Sequence, residues 1–98
     1  MVEVLGRLEQ YSRRFPQEVL VLEAQVGDQQ EQVMIFKGIS SLLLGATAFD
    51  PDVPVLPDAA VLVSLDRLRS PYTPQQPQYL AQGLTPDAVE TLLTAAGC

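Results

Sequence analysis

The chain predicts an α+β fold: a small antiparallel sheet of about three strands with N- and C-terminal helices and a long proline-rich docked loop. Three observations predict it. Apolar residues recur at helical spacing near the start, the pattern turns to period two from residue 18, and a segment opening at Thr85 carries several helix-start signals.

Leu5, Leu8, Ser12 and Phe15 fall on one helical stripe with Tyr11 beside it. Arg13 and Arg14 suit the last turn, where carbonyls leave partial negative charge, and Pro16 cannot continue the helix. A helix over 3–14 follows. Over 18–26, Leu20, Leu22, Ala24 and Val26 alternate with Val19, Val21, Glu23 and Gln25, the pattern of a half-buried strand. Gly27-Asp28-Gln29-Gln30 supplies turn chemistry and 32–37 resumes the strand, making an antiparallel hairpin. A third strand is predicted over 59–68, where Val61, Val63 and Leu65 alternate with Leu62, Ser64 and Asp66. The connection before it is long and apolar from Ile39 to Phe49, with room for a short helix or an extra strand around 41–44. Thr85 is an N-cap, Pro86 takes the first helical position, and Leu84 and Val89 occupy staple positions. Val89, Leu92, Leu93 and Ala96 then form one stripe that Gly97 terminates.

Two proline-studded stretches, 50–57 and 70–79, cannot be interior helix or central strand, since Pro fixes φ and lacks an N–H. The first interleaves apolar residues and the second carries Tyr72 and Tyr79, so both read as packed extended chain rather than linker. Docked extended segments suit binding.

At 98 residues the chain is one domain, 1–98, and at 47% hydrophobic against 18% charged it is globular. No apolar run approaches bilayer length, and Met1-Val2-Glu3-Val4-Leu5 lacks the start of a secretory signal, so a soluble protein of the cytoplasm is expected. Cys98 is the single cysteine, which excludes an internal disulfide and a multi-thiolate zinc site. A net charge of −6 repels polyphosphate, so nucleic acid is disfavoured.

The chemistry narrows by elimination. Without histidine, Ser-His-Asp and Cys-His catalysis and His-based metal sites are absent. The glycines form no phosphate loop, and Asp50, Asp52 and Asp58 lack a calcium-loop pattern, so no catalytic residue, cofactor or metal is assigned. Asp66 and Arg67 read as adjacent charges on a solvated strand face. Lys37, Arg67, Arg69 and Tyr72 form a candidate anion site, because a guanidinium grips carboxylate or phosphate bidentately and stacks on tyrosine. Leu42, Leu43, Leu44 and Phe49 form a candidate partner-binding surface: adjacent side chains of an extended segment point to opposite sides, so three successive leucines cannot all face one core.

The segments 33–38 (Val-Met-Ile-Phe-Lys-Gly), 47–57 (Thr-Ala-Phe-Asp-Pro-Asp-Val-Pro-Val-Leu-Pro), 66–72 (Asp-Arg-Leu-Arg-Ser-Pro-Tyr), 77–79 and 82–84 resemble a family of small uncharacterised proteins of cyanobacteria and chloroplasts. The chain departs from that pattern at Leu42-Leu43-Leu44-Gly45-Ala46, where the family is more polar and carries a basic residue. The resemblance implies a cyanobacterial cytoplasmic protein linked to photosynthetic physiology and carries over no activity. The expected function is a non-catalytic protein-interaction module, an assembly or regulatory factor with a protein partner or self-association. The alternative is a small-ligand protein or enzyme using Lys37, Arg67, Arg69, Asp66 and Tyr72.

Overall fold

A computed structural model describes residues 2–43, 56–73 and 75–98. The elements run α1 (Val2–Arg14), β1 (Glu18–Val26), β2 (Gln29–Phe36), β3 (Ile39–Leu42), β4 (Val61–Arg69), β5 (Tyr79–Leu84) and α2 (Pro86–Ala95). The strands form one antiparallel sheet in the order β3-β2-β1-β4-β5. The fold is therefore α+β with a helix at each end, but the sheet has five strands rather than about three. Both additions are outer strands. β3 is the extra strand for which the long connection had room. The sequence pattern does not reveal β5, because its residues are exposed or half-buried throughout and it holds by its backbone ladder to β4.

Both helices cover one face. Leu5, Leu8 and Tyr11 of α1 and Val89 and Leu93 of α2 meet Leu20, Leu22, Ala24, Val33, Ile35 and Leu65 of the sheet in one cluster. Opposite residues of an antiparallel pair share a face, so the register Leu22↔Val33 and Leu22↔Leu65 lays three strands' side chains in a single layer under the helices. Burying each such leucine contributes about 1.5–3 kcal/mol. Leu56, after the undescribed stretch 44–55, is also buried in this cluster. Val19 and Leu68 pair on the other face and are buried outside it.

The turns explain where the strands end. Gly27 has φ 59° at the β1–β2 turn. At the β2–β3 turn Lys37 and Gly38 both have positive φ, 51° and 82°, as a two-residue turn matched to strand twist requires. Gly38 is needed twice over, because a Cβ there would lie 2.5 Å from Cγ of Arg13. Its N–H donates to Ser12 Oγ at 2.7 Å, docking the turn on α1.

Helix α2 is capped as its sequence predicts. Thr85 Oγ1 accepts from the Ala88 N–H at 3.2 Å. At the other end Gly97 has φ 75°, its N–H donates to Thr94 O at 3.1 Å, and the Cys98 N–H donates to Leu93 O at 2.8 Å, closing a Schellman motif. Arg7 of α1 braces the two helices through two hydrogen bonds to the Glu90 carboxylate, at 2.6 and 3.0 Å.

Candidate functional site: a basic end of the sheet

The site begins with the register. β1 starts at Glu18, which pairs with Arg69 at the end of β4, and Leu20 pairs with Ile35, so the Lys37-Gly38 turn lies at this same end of the sheet. α1 delivers its last turn, Arg13 and Arg14, to that end as well, with Arg13 against Gly38. Of the chain's six basic residues, all but Arg7 thus gather at one end of the sheet. Asp28 sits in the turn at the far end of β1, with Glu31 close by on β2.

A buried polar network organises this end. Glu18 is nearly buried, and Tyr11 donates its hydroxyl to both carboxylate oxygens at 3.0 Å. Arg67 donates from Nε at 2.8 Å and from Nη2 at 3.2 Å to the same carboxylate. Two donors leave the buried charge compensated and hydrogen-bonded, which its burial demands. Desolvation, reinforced by Glu18, pushes the Tyr11 phenol up to about 12. The hydrogen bond to Glu18 raises the Arg67 guanidinium further above its ordinary value.

Beside this network lies an open cleft of about 450 Å³, lined by Arg14, Phe15, Pro16, Gln17, Glu18, Arg69 and Leu80. Phe15 packs on Tyr11 with ring centroids 4.5 Å apart, so the network fixes one wall. The rim is tied across by the Ser70 N–H donating to Gln17 O at 2.8 Å. Phe15 is 39% exposed and Leu80 51%, leaving apolar surface beside charge. Arg14 is held through Nη1 by the carbonyls of Ala96 and Gly97. Arg69 has no carboxylate partner among the described residues. Since Arg67 compensates Glu18, the arginines at the rim set the sign of the cleft, and it is cationic.

The predicted sites fare differently. Lys37, Arg67 and Arg69 share the basic end but not one grip: Lys37 lies 5.2 Å above the Phe36 ring, Arg67 is committed to Glu18, and Arg69 faces the cleft. Tyr72 is half-buried just beyond the cis Ser70-Pro71 bond. Asp66 and Arg67 are not a shared solvated pair, because neighbours on a strand face opposite ways; Asp66 accepts from the Gly83 N–H at 2.7 Å while Arg67 turns under the helices to Glu18. Leu42 packs against the core cluster and Leu43 is half-buried, its N–H donating to Gln32 O at 3.0 Å. Leu44 and Phe49 lie outside the described residues, as do Asp50 and Asp52. Phe15, placed on the helix stripe by its spacing, lies past the end of α1 on the cleft wall. The sequence pattern does not mark Glu18 as a site residue; its signal is an acid directly before the apolar run Val19, Leu20, Val21 and Leu22 and just after a helix carrying Tyr11.

A domain with an antiparallel sheet, one helical layer and a cationic end is a scaffold that many functions share. The chain belongs to a family described as a domain of unknown function, DUF7734, whose profile matches residues 5–93. No curated protein and no solved structure matches it. Among the described residues, no helix is long and apolar enough to cross a membrane.

Proposed function

We propose that this chain is a non-catalytic protein-interaction module that holds an acidic segment of a partner protein against the basic end of its sheet. One observation carries this: on a chain of net charge −6, Arg13, Arg14, Lys37 and Arg69 converge on the end where Arg67 already compensates Glu18. Such asymmetry steers an acidic surface to that end and turns the remainder of the molecule away from it. The row from the β2–β3 turn to β4 crosses two to three strand spacings, about 12 Å, which an extended peptide of about four residues spans and a single small anion does not. Nucleic acid has the same reach, but the acidic bulk of the chain opposes it. The resemblance to cyanobacterial and chloroplast proteins supports a cytoplasmic role there, as an assembly or regulatory factor.

Affinity capture from a cyanobacterial lysate tests this when wild type is compared with the Arg13→Glu/Lys37→Glu variant at low and high salt. An acidic partner held by wild type at low salt and lost both by the variant and in high salt supports it. A partner retained by the variant at either salt refutes it.

A further inference from the structure

We infer that the cleft between Phe15 and Leu80 is the specificity pocket of the basic end: it takes an apolar side chain of the partner segment while Arg69 takes an adjacent carboxylate. This deepens the acidic-partner function above and rests on it. The charged row alone would attract any acidic surface. What distinguishes the cleft is that Arg69, which has no carboxylate partner among the described residues, stands beside two exposed apolar side chains on separate elements, Phe15 after α1 and Leu80 on β5. Exposed apolar surface next to that guanidinium matches a ligand of mixed character, and the acidic segment already required by the row supplies the carboxylate.

The wall is built rather than incidental. Phe15 rests on Tyr11, whose hydroxyl is held by Glu18, and Glu18 is held by Arg67. That chain of contacts fixes the ring before anything binds, which lowers the ordering cost of association. Strand addition to β5 is not the mode of binding. The β4–β5 register is broken on both sides of Arg67, and Gly83 has φ 68°, so the outer edge is irregular. Recognition therefore runs through side chains.

The test uses the full isotope-labelled chain and amide chemical shifts at low salt. The probes are a short peptide Glu-Asp-Leu-Glu-Asp, its counterpart with Ser for Leu, its counterpart with Lys for every acid, and an oligouridylate. The first peptide is expected to shift Phe15, Leu80 and Arg69, the serine peptide to bind about tenfold more weakly, and the lysine peptide not at all. Leu80→Ser should reproduce the tenfold loss with the leucine peptide, and Arg69→Glu should abolish binding. Because the leucine-to-serine change is made in the peptide, its result does not depend on how a variant folds. If both acidic peptides bind equally and shift only Arg13 and Lys37, the pocket is refuted while the acidic-partner function stands. If no acidic peptide binds, or the oligouridylate binds more tightly, both are refuted.

Discussion

Glu18, Tyr11 and Arg67 show how much a few residues decide. A carboxylate this deeply placed would be costly alone, yet Tyr11 and Arg67 approach it from a helix and from a neighbouring strand and make it a fixed acceptor. Arg67→Ala should lower stability by about 3 kcal/mol, the low end for breaking a buried pair because Arg67 is itself a quarter exposed. Tyr11→Phe should cost about 1–3 kcal/mol, since Arg67 still compensates the charge. Urea denaturation of both variants checks the order, and equal losses would mean the hydroxyl matters as much as the charge. The Tyr11 phenol also makes an alkaline prediction. Its folded value of about 12 lies above the ordinary value of 10.0, so folding favours the protonated form. The contribution is complete below pH 10 and is lost as pH rises towards 12. Stability measured across that window should fall less steeply in Tyr11→Phe than in wild type.

Elements were legible in proportion to how much of their stability is written into side chains. α2 could be read in full because Thr85, Pro86, Val89 and Gly97 each mark a position with one physical meaning, and the caps form as those residues require. The β1–β2 hairpin was legible because Leu20, Leu22, Ala24, Val33 and Ile35 recur at period two toward the helices and Gly27 marks the turn between them. β5 was not, since Leu80, Gln82 and Gly83 bury little and its register to β4 slips. The candidate site was less legible still. Arg67 is distant in sequence from Tyr11 and Glu18 and is brought to Glu18 by the β1–β4 register, so no local pattern announces the three together. Thr85→Ala should cost about 1 kcal/mol with the fold intact, because one N–H at the start of α2 loses its acceptor. An unchanged denaturation midpoint would show that solvent replaces that acceptor without loss. Gly38→Ala should cost more than about 1 kcal/mol, because alanine meets both an unfavourable φ and the Arg13 side chain. Double substitution with Arg13→Ala should recover the steric share and leave the backbone share.

At the scale of the whole molecule, two surfaces compete for the role of interface, and they respond to different forces. The basic end works through charge, which salt screens beyond a Debye length of about 8 Å at physiological strength. The β3 side, where Leu42 turns into the core and Leu43 follows it, would work through apolar burial, which moderate salt does not weaken. Leu43→Asp and Arg69→Glu therefore form a discriminating pair when each is measured against the captured partner by sedimentation across a salt series. The association of wild type should weaken steadily with salt, Arg69→Glu should lose it even at low salt, and Leu43→Asp should keep both the association and its salt slope. Thermal melts are part of the comparison, because Leu43 is half-buried and a charge there can destabilise the domain. If Leu43→Asp instead remains folded and loses a salt-insensitive association that Arg69→Glu retains, the interface lies along β3, and the cations of the basic end serve solvation alone.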